Sequence, residues 1–396
     1  MQQLSTQNII KNYEQVIEDK QFVQLLSKEK QQIQISNLVG SSLSFIISES
    51  FKKADKQFLL IFNDKEEAAY YLNDLEQLLN DKDVLFYPGS YRRPYQIEEV
   101  DNANVLLRSE VLNRLNSRKK PAVIVTYPDA LFEQVVTKAE LNRNTLKIAV
   151  NDNLNLDFVN EVLFEYHFNR VDFVTEPGEF SVRGGIIDVF SFSNDEPYRI
   201  EFFGNDVDSI RTFDVETQLS TEKLTKVSIM PNVENKALDE KRDSFLKYIS
   251  SKTVVFTKNT DLFAERLNKL FSKAEDEFKK LSTAINHAEP NELFCNGSLI
   301  KKQLKDFTTV EIVNSLRAGV TSKTQQKILQ NGENNVIIFN TKPQPAFNKQ
   351  FDLLIENFHQ NSEKGYTNYL FCDSQKQADR FHDIFDDVDK EIEYKT

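Results

Sequence analysis

Gln57-Phe58-Leu59-Leu60-Ile61-Phe62, followed by Asn63-Asp64, is the stretch on which the fold turns. The apolar run from Phe58 to Phe62 is too short for a helix and stops at a turn pair, so it predicts a strand covered on both faces. Asp64 then stands where a helix over 64–79 needs its N-cap, and Ala68, Tyr71, Leu72, Leu75 and Leu78 make one apolar stripe. Working outward, the alternation recurs. A strand is predicted over 34–38 and a helix over 42–51, with Leu43, Phe45, Ile46 and Ile47 apolar; strands over 84–87 and 122–126 flank a helix over 98–115. Strands separated by helices predict a parallel sheet, because a crossover must be long enough to reverse direction. Ahead of this, Ile9, Ile10, Tyr13, Val16 and Ile17 recur at helical spacing and predict short amphipathic helices in the first 30 residues.

After Phe132 helical crossovers thin out. Strand-like runs at 170–176, 185–191, 198–203 and 206–212 are separated by Pro177-Gly178, Asn194-Asp195-Glu196-Pro197 and Gly204-Asn205, which is antiparallel hairpin material. A small α+β domain is expected at 137–228. Beyond it, a helix over 238–249, a strand over 252–257, a helix over 261–278 and a strand over 311–313 restore the alternation. A Gln/Lys/Asn-rich stretch at 321–335 precedes a strand over 336–339 and a boundary at Lys342-Pro343-Gln344-Pro345. Residues 351–358, 368–372 and 375–384 then predict a helix–strand–helix unit. The expected division is 1–136, 137–228, 229–342 and 343–396.

The 396 residues are 40% hydrophobic and 28% charged, with a net charge of −12. That balance suits a globular chain and argues against one whose whole surface wraps nucleic acid. Cys295 and Cys372 cannot build a disulfide framework, and neither a signal-peptide core nor an 18-residue apolar run is found. A cytoplasmic protein with no membrane contact is expected. His167, His287, His359 and His382 stand apart, with no metal-ligand spacing, and neither cysteine has a histidine nearby in sequence.

The turn after the first strand reads Leu38-Val39-Gly40-Ser41-Ser42-Leu43-Ser44. A phosphate-binding loop needs glycine amides, a lysine and a magnesium-binding hydroxyl at such a strand-to-helix turn. Gly40, Ser41, Ser42 and Ser44 suit it, but Leu43 occupies the lysine position and Asn37 the first glycine position. Two readings stand: phosphate-loop geometry without nucleotide hydrolysis, or an anion still held at the helix N-terminus.

Pro197-Tyr198-Arg199-Ile200-Glu201-Phe202-Phe203-Gly204-Asn205 turns as a hairpin at Gly204-Asn205. Period two places Arg199, Glu201 and Phe203 on one face and Ile200 and Phe202 on the other, which is the better core face. Phe203 is then either a docking aromatic or the cover of a small satellite core near the turn.

The block Gly178-Glu179-Phe180-Ser181-Val182-Arg183-Gly184-Gly185-Ile186-Ile187-Asp188-Val189-Phe190, with Tyr198–Gly204, Asp208-Ser209-Ile210-Arg211 and Phe213-Asp214, resembles the segment shared by the excision-repair protein UvrB and the bacterial transcription-repair coupling factors (Mfd). Tyr87-Pro88-Gly89-Ser90-Tyr91-Arg92-Arg93-Pro94-Tyr95, leading into Asn104–Leu112, resembles the coupling factors. UvrB proteins carry a long DNA-clamping hairpin near this point. Pro343–Lys349 resembles the Bacteroidetes form of the family at the start of its third domain.

This resemblance implies an α/β fold: a degenerate P-loop, RecA-like parallel-sheet module (UvrB-like domains 1a and 1b) with an inserted α+β domain 2. It implies an adaptor without ATPase activity that binds UvrA through domain 2 and so recruits nucleotide excision repair to RNA polymerase stalled at DNA damage. Matched residue by residue, the UvrA contact falls on Arg183, Arg199 and Phe203, with Arg211 at the periphery. ATP, magnesium, double-stranded DNA and RNA polymerase are then the business of downstream domains, and no cofactor is expected in this chain. In the complete protein the domain 2 surface is expected to be masked by the C-terminal domain. The alternative is a UvrB-like damaged-DNA-binding module, for which Arg92, Arg93 and Arg108 offer a modest basic patch.

Overall fold

The computed structural model describes residues 4–80, 83–90, 95, 102–117, 120–191, 194, 196–230, 241–281, 287–313, 335–348, 350–372 and 374–388. Within them, every side chain of Phe58–Ile61 is buried, as is every one of Val123–Thr126 and Val254–Thr257 on the strands paired with it. Successive strand residues point to opposite faces, so burial of all four requires a sheet covered on both sides.

The cover comes from the helical crossovers. The chain runs α1 (Leu4–Asp19), α2 (Phe22–Ser27), β1 (Gln32–Ser36), α3 (Ser42–Ala54), β2 (Phe58–Ile61), α4 (Lys65–Leu78), β3 (Val84–Tyr87), α5 (Asn102–Ser117), β4 (Val123–Thr126) and α6 (Pro128–Phe132). Asp64 caps α4 as its sequence position predicts, accepting from the Glu67 amide at 2.8 Å, while the Glu67 carboxylate accepts from the Asn63 amide at 3.0 Å.

Between β4 and the return to the sheet lie β5 (Val135–Val136), α7 (Lys138–Arg143), β6 (Leu146–Ala149), α8 (Leu156–Glu165), β7 (Asn169–Arg170), β8 (Glu179–Arg183), β9 (Ile186–Val189), β10 (Tyr198–Phe203), β11 (Asp206–Phe213), β12 (Ser220–Leu224), β13 (Lys226–Ile229), β14 (Arg242–Asp243) and α9 (Phe245–Tyr248). The alternation resumes with β15 (Val254–Thr257), α10 (Thr260–Phe278), α11 (Pro290–Leu293), α12 (Gly297–Leu304), β16 (Thr308–Val313) and β17 (Val336–Ile338). It is followed by α13 (Phe351–Glu363) and α14 (Gln375–Val388).

Among the described residues the large sheet has seven strands in the order β17-β1-β16-β15-β2-β4-β3, every pair parallel. The fold is thus α/β with a parallel sheet. The second sheet, β12-β11-β10-β9-β8-β7, is antiparallel apart from β7–β8. Its core is its own. Phe180, Ile187, Val189 and Ile200 from the sheet meet Val159 and Leu163 of α8 and Ile148, Val227 and Ile229 of the β6–β13 ribbon. Only one face is covered in this way, which leaves the other for polar side chains.

Several local expectations change. The first strand lies two residues earlier, at Gln32–Ser36, because Asn37 turns into the left-handed region at φ 61°. Strand 170–176 shrinks to Asn169–Arg170. Beyond it Val171 and Val174 turn into a satellite core with Phe190 and Phe213, and the Glu179 carboxylate gathers the amides of Thr175 and Glu176 at 2.9 Å each. Of the helix placed at 238–249, residues 238–240 lie outside the described residues and only Phe245–Tyr248 is helical, capped by Ser244. Residues 368–372 form no strand; Asn368 instead donates to the Phe358 carbonyl at 3.1 Å and ties that segment to α13. Leu354, Ile355 and Phe385 hold α13 to α14 in a small separate core. The Gln/Lys/Asn-rich stretch lies outside the described residues up to 334.

Candidate protein-docking surface

Register builds the open face of the second sheet. Ser181, Asp188, Arg199, Arg211 and Lys223 stand opposite one another across five strands, and Arg183, Ile186, Glu201 and Ser209 make the adjacent row. Three basic residues side by side repel unless carboxylates intervene. Asp188 and Glu201 do so.

The fully buried Asp188 carboxylate accepts from Arg199 Nε at 2.7 Å and Nη2 at 2.9 Å, and from Arg183 Nη2. Arg199 also donates through Nη1 to the Gln218 carbonyl at 3.1 Å and lies 4.6 Å from the Phe213 ring centroid. The Asp188 hydrogen bond holds the Arg199 guanidinium above its ordinary pKa, against the opposing effect of burial. Glu201 accepts from Arg211 Nη2 and from Ser209 Oγ at 2.7 Å.

The two arginines on Asp188 differ in access. The Arg183 side chain is 41% exposed and its guanidinium sits 5.4 Å from the Phe173 ring centroid; Arg199 is 16% exposed with all three nitrogens engaged. Arg199 therefore shapes the surface more than it offers free donors. Together with Arg211, Glu201 and Gln218 they line a shallow basin. Among the described residues, Arg211 Nε and Gln218 Oε1 are buried in its wall without a hydrogen-bond partner.

Phe203 closes β10 and is 82% exposed, which excludes the satellite-core reading. Ile200 is buried and Phe202 packs partly against the core on the opposite face, as period two predicts. A register shift between Glu201 and Phe202 and the left-handed Gly204, at φ 65°, tighten the hairpin that presents the ring. Sequence reasoning missed Asp188, Gln218 and Phe173. A carboxylate inside the strand-like run Ile186–Val189 was the available signal for Asp188; Phe173 had none.

Among the described residues, the polar groups at two other candidate places are engaged with one another. At the first turn Leu43 is buried in the main core, so no cation reaches Gly40 from that position. Ser44 Oγ donates to Asp74 at 2.7 Å, Ser42 Oγ donates to the Val39 carbonyl at 2.6 Å, and Ser41 Oγ shares a hydrogen bond with the Tyr70 hydroxyl at 3.1 Å. Connections leave the large sheet in opposite directions from β2 and β15, where α/β folds commonly bind ligands. There Lys258 is paired with Glu67, Arg266 with Asp129 and Lys269 with Glu265. Among the described residues no three metal-ligating side chains cluster, and no helix is long and apolar enough to cross a membrane.

The basic patch drawn from Arg92, Arg93 and Arg108 is corrected. Arg108 is fully buried, donates from Nη1 to the carbonyls of Pro88 and Ala130 at 2.8 and 3.2 Å, and lies 3.4 Å from Glu133. Glu133 in turn accepts from the Ser90 amide and hydroxyl. The pair pins the turn at 88–90 from within. Arg92 and Arg93 lie outside the described residues.

Residues 146–234 match the family described as the UvrB interaction domain, a span that opens at β6 and takes in the whole second core. Among curated proteins, the transcription-repair-coupling factor of Bacillus subtilis is 33% identical over 50% of this chain and 17% of its own length. That of Staphylococcus haemolyticus is 34% identical over 50% of the chain and 17% of its own length. The Staphylococcus epidermidis factor is 23% identical over 96% of the chain and 36% of its own length. The chain thus spans about a third of a relative that it matches almost throughout. Residues 146–234 thus match the UvrB interaction domain, and the chain as a whole is similar to the transcription-repair-coupling factors along nearly its whole length.

Proposed function

We propose that this chain is the N-terminal adaptor region of a transcription-repair coupling factor. Its division is 1–136 for domain 1a, 137–228 for the UvrA-binding domain 2, 229–342 for domain 1b and the return to 1a, and 343–396 for the start of domain 3. Domain 2 docks UvrA through Arg183, Arg199 and Phe203, with Arg211 at the edge, and so brings nucleotide excision repair to RNA polymerase stalled at damaged DNA. The observation that carries this reading is Phe203. A ring 82% exposed, two residues along β10 from the Glu201 that lines the arginine basin, gives the matched domain the aromatic-plus-arginine composition of an interface centre.

The α/β body serves as a scaffold in this reading. Its first turn lacks a lysine, and the Ser44 hydroxyl that would face magnesium is engaged by Asp74, so the donor set does not fit an ATP–magnesium site. ATP-driven DNA translocation and polymerase contact belong to further domains of the complete cytoplasmic protein. Titrating the chain with purified UvrA while following phosphate release from ATP tests both halves. Saturable binding without turnover is expected; no binding, or turnover by the chain alone, would overturn the proposal.

A further inference from the structure

We propose that Phe173 is a second aromatic anchor of the same docking surface, stacked with Arg183 to receive a partner segment that sets a carboxylate between two apolar contacts. The inference rests on the docking reading above and extends it beyond the residues matched to the family.

Phe173 is 61% exposed, yet the loop that carries it is fixed. Val171 and Val174 on either side turn into the satellite core, the Asp172 carbonyl accepts from Ser181 Oγ at 3.1 Å, and the Val174 carbonyl accepts from Gln218 Nε2 at 3.1 Å. Glu179 holds the next two amides. A ring held outward by its neighbours loses little conformational freedom on binding, which favours it as an anchor. Lone exposed apolar residues are ordinary, but this one lies 5.4 Å from the Arg183 guanidinium, at the rim of the basin. Phe203 at the end of β10 and Leu219, 68% exposed in the turn before β12, stand on the same domain.

Charge selects the occupant. Three arginines face two carboxylates in this basin, while the whole chain carries −12, so the surface attracts an acidic partner locally and repels it elsewhere. Arg183 is the arginine with donors to spare, and Phe173 shields it from water on one side.

The test uses the 396-residue chain and purified UvrA as the probe. Phe173→Ala and Phe173→Gln are expected to weaken binding about tenfold each while melting like the parent; Phe158→Ala, an exposed ring on α8, is expected to leave binding unchanged. Combining Phe173→Ala with Arg183→Ala is expected to cost less than the product of the separate losses, since both remove one stack. If Phe203→Ala weakens binding and both Phe173 variants bind like the parent, the second anchor is refuted and the docking reading survives. If Phe158→Ala weakens binding as much as Phe173→Ala, the effect is not local and the anchor is refuted as well. If the parent chain itself fails to bind UvrA, both proposals fall together.

Discussion

Asp188 grips Arg199 through both carboxylate oxygens, at 2.7 and 2.9 Å, from a position closed to solvent. The pair is a strut beneath the open face, and Phe203 stands on that face without support duties. The two residues should therefore fail differently when removed.

Phe203→Ala removes only exposed surface. Its stability should stay within about 0.5 kcal/mol of the parent, while UvrA binding weakens by roughly 2 kcal/mol. Arg199→Ala leaves a buried carboxylate with Arg183 as its remaining arginine, so it should cost about 3 kcal/mol of stability and weaken binding as well. Urea unfolding followed by UvrA titration separates the two effects. An Arg199→Ala chain as stable as the parent would show that the strut carries no weight.

Leu43→Lys restores the residue type that a phosphate loop needs, but not the loop. Leu43 is buried in the main core, so the new ammonium has no partner there and should cost about 3 kcal/mol or more. Ser44 remains bonded to Asp74. Phosphate release from ATP should stay at the buffer level while the urea midpoint falls; measurable hydrolysis by Leu43→Lys would mean that the missing lysine was the sole defect.

What the sequence made legible follows from where the decisive contacts lie. Phe58–Ile61 was readable because burial on both faces leaves an uninterrupted apolar run, and Asp64 because its cap partner is three residues away. The outward face of Phe203 followed from strand alternation alone. Asp188 was not readable: its arginines lie 5 and 11 residues along the chain and meet it only through sheet register. The segment 171–176 looked like a strand because Val171, Phe173 and Val174 are β-formers, but satellite packing and the Glu179 carboxylate bend it into a loop. Arg108 looked like part of a basic patch with Arg92 and Arg93; carbonyls of two other segments and Glu133 drew it inside.

Cys295 and Cys372 should behave as two kinds of thiol. Burial, helped by the nearby Asp243, pushes the Cys295 thiol up to about 12, whereas Cys372 is only half-buried. A disulfide-exchange reagent at pH 8 should modify one thiol in the native chain and two in denaturant. Because the folded thiol keeps its proton longer than the unfolded one, its contribution to stability is whole below about pH 9 and drains away as the pH rises toward 12. Rapid modification of both native thiols would contradict the buried position.

Gly185 sets how closely the hairpin end of the docking face can close. A Cβ there would stand 2.8 Å from the Phe202 carbonyl oxygen, which is backbone and cannot swing away, and the Phe202 amide already donates to the Gly185 carbonyl at 2.8 Å. Gly185→Ala must push β9 and β10 apart just beyond the register shift at Glu201/Phe202, moving the segment that presents Phe203. Overpacking of this kind costs about 1–3 kcal/mol. UvrA binding should weaken even though no contacting side chain has changed, and the loss should persist at temperatures where the variant is fully folded. A Gly185→Ala chain that loses stability but binds UvrA like the parent would mean that Phe203 docks without needing the hairpin held in this position.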